Sequence, residues 1–142
     1  MNEVKIPQIP LSTDTNLYAI MSSGAIAMNI ELTKDSDYLI CALYKDYLKK
    51  RESGVSKYDA KKAGSSQTIQ ENIFPNWSLD DVVETCRELS RAGLLWCEYS
   101  GNQVYTSCLS DLGIVYMEKH FENKINAIIE YMSKIKSMTP FI

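Results

Sequence analysis

The sequence lacks the residues and motifs from which most catalytic and metal sites are built. It has one histidine, His120, and four cysteines, of which no two form a C-x-x-C pair. It has no glycine-rich phosphate loop, no G-x-S-x-G, no H-E-x-x-H and no pair of carboxylates in a motif setting. We therefore expect no catalytic residues, no metal site and no cofactor, and we expect that the protein is not an enzyme.

The cysteines are expected to be buried free thiols rather than disulfides. A hairpin with a two-residue turn at Gly101-Asn102 places Cys97 opposite Thr106. The same turn places Cys108 opposite Leu95, so the two cysteines are diagonal neighbours, usually too far apart to bridge. Unpaired cysteines agree with a reducing, cytoplasmic location. The N-terminus has no basic region followed by an unbroken apolar stretch, so we expect no signal peptide and no membrane span.

The composition is that of one folded domain with an extension. The 142 residues are 45% hydrophobic and 23% charged, as in soluble globular proteins. Residues 1–34 are predicted to be an N-terminal extension. Within it, the alternation from Ala25 to Leu32 favours a β-hairpin at 17–32, and one continuous helix from Leu17 to Glu31 is an open alternative.

The middle of the chain has the signals of four helices. Each has a Ser or Asp in a position to cap its first turn, and each has a glycine or proline after its end. The predicted helices run from Asp35 or Ser36 to Glu52-Ser53-Gly54, from Lys57 to Ala63 after Ser56, from Gln67 to Asn72 after Ser65 or Ser66, and from Ser78 to Ala92-Gly93.

The stretch from Ser78 to His120 is the most informative part of the sequence. After the Ser78 helix ends, the apolar period changes from that of a helix to that of a strand. Two aromatic-rich segments, 94–99 and 104–109, flank a polar turn at 100–103, which indicates a hairpin. A helix start with the order Leu-Ser-x-x-Gly follows directly.

This succession of helix, hairpin and L-[ST]-x-x-G helix start resembles the back half of a winged-helix domain. The resemblance extends over roughly residues 35–137 and implies a mainly α fold with a small antiparallel β wing, whose winged-helix core is 35–109. The chain is similar to the small winged-helix proteins of bacteria, their phages and mobile elements, many of which are regulators. The resemblance therefore implies a homodimeric, DNA-binding transcription regulator.

A long C-terminal helix is predicted at 110–138. At 1.5 Å per residue it is roughly 40 Å long, which exceeds what one small domain covers. Its apolar stripe is therefore expected to pack on another subunit of a homodimer or on the N-terminal hairpin. The predicted dimer contacts are Ile114, Met117, Phe121, Ile125, Ile128, Met132 and Ile135.

The charges differ from those that DNA binding by this fold requires. In winged-helix regulators the third helix usually enters the major groove, and basic residues of the wing contact phosphate. Here the outward face of the Ser78 helix has Asp80, Asp81 and Glu84, and the wing tip at 100–103 has no lysine or arginine. Both features oppose contact with a phosphate backbone.

Positive charge is concentrated in the basic lobe, residues 45–62, with seven basic and three acidic side chains. By the resemblance, this lobe lies where many winged-helix proteins contact phosphates. Two hypotheses follow: a regulator that binds DNA through the lobe, or an interaction module whose acidic helix and wing aromatics contact an unknown protein. The candidate DNA contacts are Lys49, Lys50, Arg51, Lys57, Lys61 and Lys62, with Arg87 and Arg91 as base contacts.

Overall fold

The computed structural model describes residues 29–139 and Ile142, which form six helices and a two-stranded antiparallel sheet. The elements are α1 (Lys34–Glu52), α2 (Lys57–Ala60), α3 (Ser66–Ile73), α4 (Leu79–Arg91), β1 (Leu95–Ser100), β2 (Gln103–Leu109), α5 (Asp111–Phe121) and α6 (Ile125–Met138). The fold is therefore mainly α with a small antiparallel β element, as the sequence predicts. The predicted hairpin at 17–32 lies outside the described residues, apart from 29–32, which belong to no strand.

Serine and threonine hydroxyls fix where the helices begin. In five cases a side-chain oxygen directly before a helix accepts a hydrogen bond from the backbone N–H three residues later. Such an N-cap satisfies a donor that the helix itself leaves without a partner. The caps are Thr33, Ser56, Ser65, Ser78 and Ser110.

β1 and β2 form the predicted hairpin, but their register differs from the expected one. Cys97 lies opposite Ser107, and Cys108 lies opposite Trp96. A β-bulge beside Glu98 and Tyr99 places one extra residue in β2, which shifts every pair beyond it by one position. All four cysteines are free thiols.

A third segment extends the sheet at the free edge of β2. Lys62 forms an antiparallel bridge with Cys108. The backbone N–H of Ala63 donates to the carbonyl oxygen of Ser107, and that of Leu109 donates to the carbonyl oxygen of Lys61, each at 2.9 Å. Residues 61–63 therefore lie beside β2, on the side opposite β1.

The hydrophobic core lies between α1, α4, the inner face of the sheet and the two C-terminal helices. Burying these apolar side chains is the main source of the fold's stability. Its fully or almost fully buried members include Leu39, Ile40, Tyr44, Ile69, Val82, Leu89, Leu94, Leu109, Met117 and Ile128. None of the helices in the described ranges combines the length and hydrophobicity needed to cross a bilayer.

The prediction of one long C-terminal helix is wrong, because the chain turns back between α5 and α6. Glu122 and Asn123 adopt left-handed backbone conformations, with φ of 48° and 63°, which end α5 at Phe121. The hydroxyl of Tyr44 donates a hydrogen bond of 2.7 Å to the side-chain oxygen of Asn123 and holds the turn. As a result, α6 packs against α1.

The apolar stripe assigned to a dimer interface therefore belongs to the core of the chain itself. The sequence predicts that the C-terminal half of this stripe packs on another subunit or on the N-terminal hairpin. In the described residues it packs on α1 of the same chain. The homodimer stays a prediction, and the hairpin lies outside the described residues. Five of the seven residues, Ile114, Met117, Ile128, Met132 and Ile135, are buried, and Phe121 and Ile125 are half-buried.

Candidate interaction surfaces

The outward face of α4 is acidic at its N-terminal end. Val82, Cys86 and Leu89 recur at helical spacing and are buried, which turns Asp80, Asp81 and Glu84 toward solvent. Asp80 and Asp81 occupy the first turn, where carboxylates interact favourably with the positive end of the helix dipole. Asp80 and Asp81 thus stabilise the start of α4 and also make this surface negative.

A cleft of about 600 Å³ beside α4 and the start of α1 has four carboxylates in its wall. The Glu88 carboxylate accepts hydrogen bonds from the hydroxyls of Thr33 at 2.7 Å and Ser36 at 2.5 Å. Burial raises the pKa of Asp35, and the neighbouring Glu88 and Asp81 raise it further. The cleft is therefore negative and opposes the approach of a phosphate group.

The two arginines proposed as base contacts interact with groups of the protein itself. An amino group of Arg91 donates a hydrogen bond of 2.8 Å to Glu84 on the same helix. The guanidinium of Arg87 lies over the ring of Tyr99, 5.5 Å from its centroid. Both side chains would have to leave these partners in order to contact a base.

The structure brings the basic lobe together but also brings carboxylates to it. Lys50 pairs with Asp46 and Lys62 pairs with Asp59, both at 3.0 Å. Lys50 also donates to the carbonyl oxygen of Lys62. In addition, Arg51 donates a hydrogen bond of 3.1 Å to the carbonyl oxygen of Val55.

Lys61 forms an ion pair of 2.5 Å with Asp111, at the start of α5. The hydrogen bond from Lys61 lowers the pKa of the Asp111 carboxyl, so this side chain stays ionised. Asp111 was missed as part of the lobe because it lies 50 positions after Lys61 in the sequence. Lys49 and Lys57 are exposed, and neither forms an ion pair within the described residues.

Two exposed aromatic rings, those of Tyr58 and Trp96, line part of a groove of about 400 Å³ on the outer face of the sheet. The register places Trp96, Cys108 and Lys62 side by side on this face. Trp96 is 52% exposed and Tyr58 is 76% exposed, and the ammonium of Lys62 lies 4.9 Å from the centroid of the Tyr58 ring. Lys61, Lys62 and Asp111 lie at its rim, where Lys61 is paired with Asp111, and Lys62 is paired with the neighbouring Asp59. We call this site the aromatic groove.

Sequence reasoning selected other aromatic residues on the wing. The wing aromatics include Tyr99 and Tyr105, which are 42% and 68% exposed. Sequence reasoning did not select Trp96 or Tyr58. The alternation of β1 contains the signal for Trp96, because Leu95 faces inward and the next residue must face outward.

The single histidine, His120, interacts with Tyr116 one turn before it on α5. His120 has its Nδ1 atom 2.8 Å from the carbonyl oxygen of Tyr116, and the two rings are in contact. No group of three or more His, Cys, Asp or Glu side chains within residues 29–139 is arranged to hold a metal ion. Comparison of the chain with protein-family models, with curated proteins and with solved structures gives no match.

Proposed function

We propose that residues 34–109 are a winged-helix domain that serves as a protein-interaction module without catalytic activity. The order of elements supports the fold: α1, the edge segment 61–63, the helix pair α3 and α4, and then the β1–β2 hairpin. In the winged-helix arrangement the helix before the wing is the one that contacts DNA, and here that helix is α4.

The negative charge of α4 is the observation on which the choice of function rests. Binding to duplex DNA gains most of its affinity when lysines and arginines neutralise phosphates and release counterions. At this position α4 has Asp80, Asp81 and Glu84 instead, and Arg91 is paired with Glu84. A protein partner with a basic segment suits this surface, whereas a phosphate backbone does not.

The aromatic groove offers a place for such a partner to bind. Tyr58 and Trp96 present exposed ring surface, and buried aromatic contacts often dominate the energy of protein interfaces. Each lysine at the rim is matched by an aspartate, so the rim is balanced in charge. This balance favours an uncharged aromatic or large aliphatic side chain of the partner over a phosphate group.

Site-specific photo-crosslinking distinguishes the two classes of partner. A benzophenone amino acid replaces Trp96 or Tyr58 in the 142-residue chain, which is then irradiated in the cells that produce it. We expect adducts with protein at both positions. Val115, which is 38% exposed on α5, supplies the control position and should give no specific adduct. Adducts with nucleic acid at 58 and 96, or the same adducts at 115, would contradict the proposal.

DNA binding through the basic lobe is the second candidate function. It is favoured by the exposure of Lys49 and Lys57 and by the excess of positive charge in 45–62. Asp111 reduces this excess, because it adds a carboxylate directly to Lys61. Arg87 and Arg91, the candidate base contacts on α4, interact with Tyr99 and Glu84, so DNA bound at the lobe would be held mainly by phosphate contacts.

A further inference from the structure

The turn between α5 and α6 has little local sequence signal apart from Asn123, because asparagine tolerates the left-handed backbone conformation better than most residues with a side chain. Among the six helices of the described residues, α6 is the one that begins without a capping side chain, because Lys124 stands at its N-cap position. The sequence has no glycine and no proline from Ile114 to Thr139. Glu122 and Asn123 nevertheless have left-handed backbones, which are unfavourable for a residue with a side chain such as that of glutamate.

The apolar spacing of α5 continues through the turn into α6. Ile114, Met117, Phe121, Ile125 and Ile128 follow one another at steps of three and four residues. Local sequence preferences therefore favour one continuous helix over 111–138, and tertiary contacts are what break it.

Contacts with α1 hold α6 in its folded-back position. Ile128, Met132 and Ile135 are buried. The Tyr131 hydroxyl donates a hydrogen bond to Asp37 on α1. The Tyr44 hydroxyl donates to Asn123 within the turn itself. All of these contacts except the last are independent of how α5 connects to α6.

We propose that two copies of the chain exchange α6 to form a homodimer. In each copy Glu122 and Asn123 become helical, α5 and α6 join, and α6 packs on α1 of the other copy. The exchange keeps the packing of α6 on α1, including the Tyr131–Asp37 bond, and it removes the two left-handed residues of each chain. The bond between Tyr44 and Asn123 is lost. This dimer is independent of the proposed function, since either kind of partner can bind a monomer or a dimer.

Two hinge variants with opposite backbone preferences test the exchange. Glu122→Ala with Asn123→Ala favours the continuous helix, whereas Glu122→Gly with Asn123→Gly favours the turn. In sedimentation velocity over a concentration series, we expect the alanine variant to lower the dimer dissociation constant about tenfold or more relative to wild type, and the glycine variant to raise it by a similar factor. Wild-type and alanine proteins that both remain monomeric up to about 1 mM would overturn the proposal.

Tyr44→Phe gives a second test that leaves the hinge residues unchanged. It removes the bond to Asn123 and keeps the buried ring, so the dimer should become more populated. Isotope-filtered NOE spectra of a mixed labelled and unlabelled dimer then show which copy supplies α6. Contacts between Tyr131 of one copy and Asp37 of the other are expected. A dimer in which these contacts occur only within one chain would overturn the exchange.

Discussion

The hydroxyl of Ser110 donates a hydrogen bond of 2.6 Å to the carbonyl oxygen of Gly93, which follows α4. The hydroxyl oxygen of Ser110 also accepts a hydrogen bond of 2.9 Å from the backbone N–H of Gly113. One serine thus starts α5 and joins it to the end of α4. These two hydrogen bonds are the physical reason for the Leu-Ser-x-x-Gly order at the start of α5.

Ser110→Ala should lower the free energy of unfolding by about 1–2 kcal/mol, because it removes both an N-cap and a bond between elements. Urea denaturation measures the loss. Ser133→Ala is the matched control, since the Ser133 hydroxyl donates only to Ile129 on its own exposed helix face. The control should stay within about 0.5 kcal/mol of wild type. Equal effects of the two substitutions would contradict the account.

Gly113→Ala should also destabilise the protein, although alanine usually stabilises a helix interior. A Cβ atom at Gly113 would lie 2.3 Å from the carbonyl oxygen of Leu94, a backbone atom that has no rotamer to change. Overpacking of this kind costs roughly 1–3 kcal/mol, more than the usual gain of about 0.5–1 kcal/mol from replacing glycine. Urea denaturation should show this loss of stability. The control Asn126→Ala, at an exposed position of α6, should show no such loss. A Gly113→Ala protein as stable as wild type would show that α5 is not held this closely.

Asp37 should make stability fall as pH rises. Burial is the main influence on this carboxyl and raises its pKa, against the opposing effects of the hydrogen bond from Tyr131 and the nearby His120. A raised folded pKa gives a contribution that is present below the unfolded pKa and lost as pH rises through the folded one. The unfolding free energy of wild type minus that of Asp37→Asn should therefore decrease between about pH 3.5 and 6.5.

Asp59→Asn is the control with the opposite sign. The hydrogen bond from Lys62 lowers the pKa of the Asp59 carboxyl. The stability that Asp59 contributes is present above the unfolded pKa and lost as pH falls. The unfolding free energy of wild type minus that of Asp59→Asn should therefore increase with pH. Urea denaturation at a series of pH values measures both free-energy differences. If they change with pH in the same direction for the two variants, the opposite pKa shifts of Asp37 and Asp59 are contradicted.

The four thiols should react in two groups. Burial raises the pKa of Cys86 to about 12 and also raises the pKa of buried Cys41, so neither forms a thiolate readily in the folded state. Cys97 and Cys108 are only partly buried. Alkylation at pH 8 followed by peptide mapping should label Cys97 or Cys108 in the native protein, and Cys41 and Cys86 only after unfolding. Native labelling of Cys41 would show that α1 is not packed as described.

The local features of the fold were predictable because their causes lie within a few residues. Serine caps and the glycine at 93 specify where α4 and α5 begin or end, and the period change specifies the hairpin. The turn at Asn123 was not predictable, because Tyr44 stabilises it from 79 positions away. The candidate site shows the same contrast. The negative charge of α4 follows directly from its sequence, whereas the pairing of Lys61 with Asp111 depends on the tertiary fold and was not predictable.

The most direct test of the proposed function is a titration of fluorescent random duplex DNA with the 142-residue chain at low salt. Nonspecific DNA-binding proteins typically show dissociation constants of about 10⁻⁴–10⁻⁶ M at physiological salt and tighter ones at lower salt. Because α4 is acidic and three of the six lysines of the lobe are paired with carboxylates, we expect no change in anisotropy with up to about 100 μM wild-type protein. The contradicting result is salt-sensitive binding in that range that Lys49→Glu with Lys57→Glu abolishes and the matched pair Lys119→Glu with Lys134→Glu preserves.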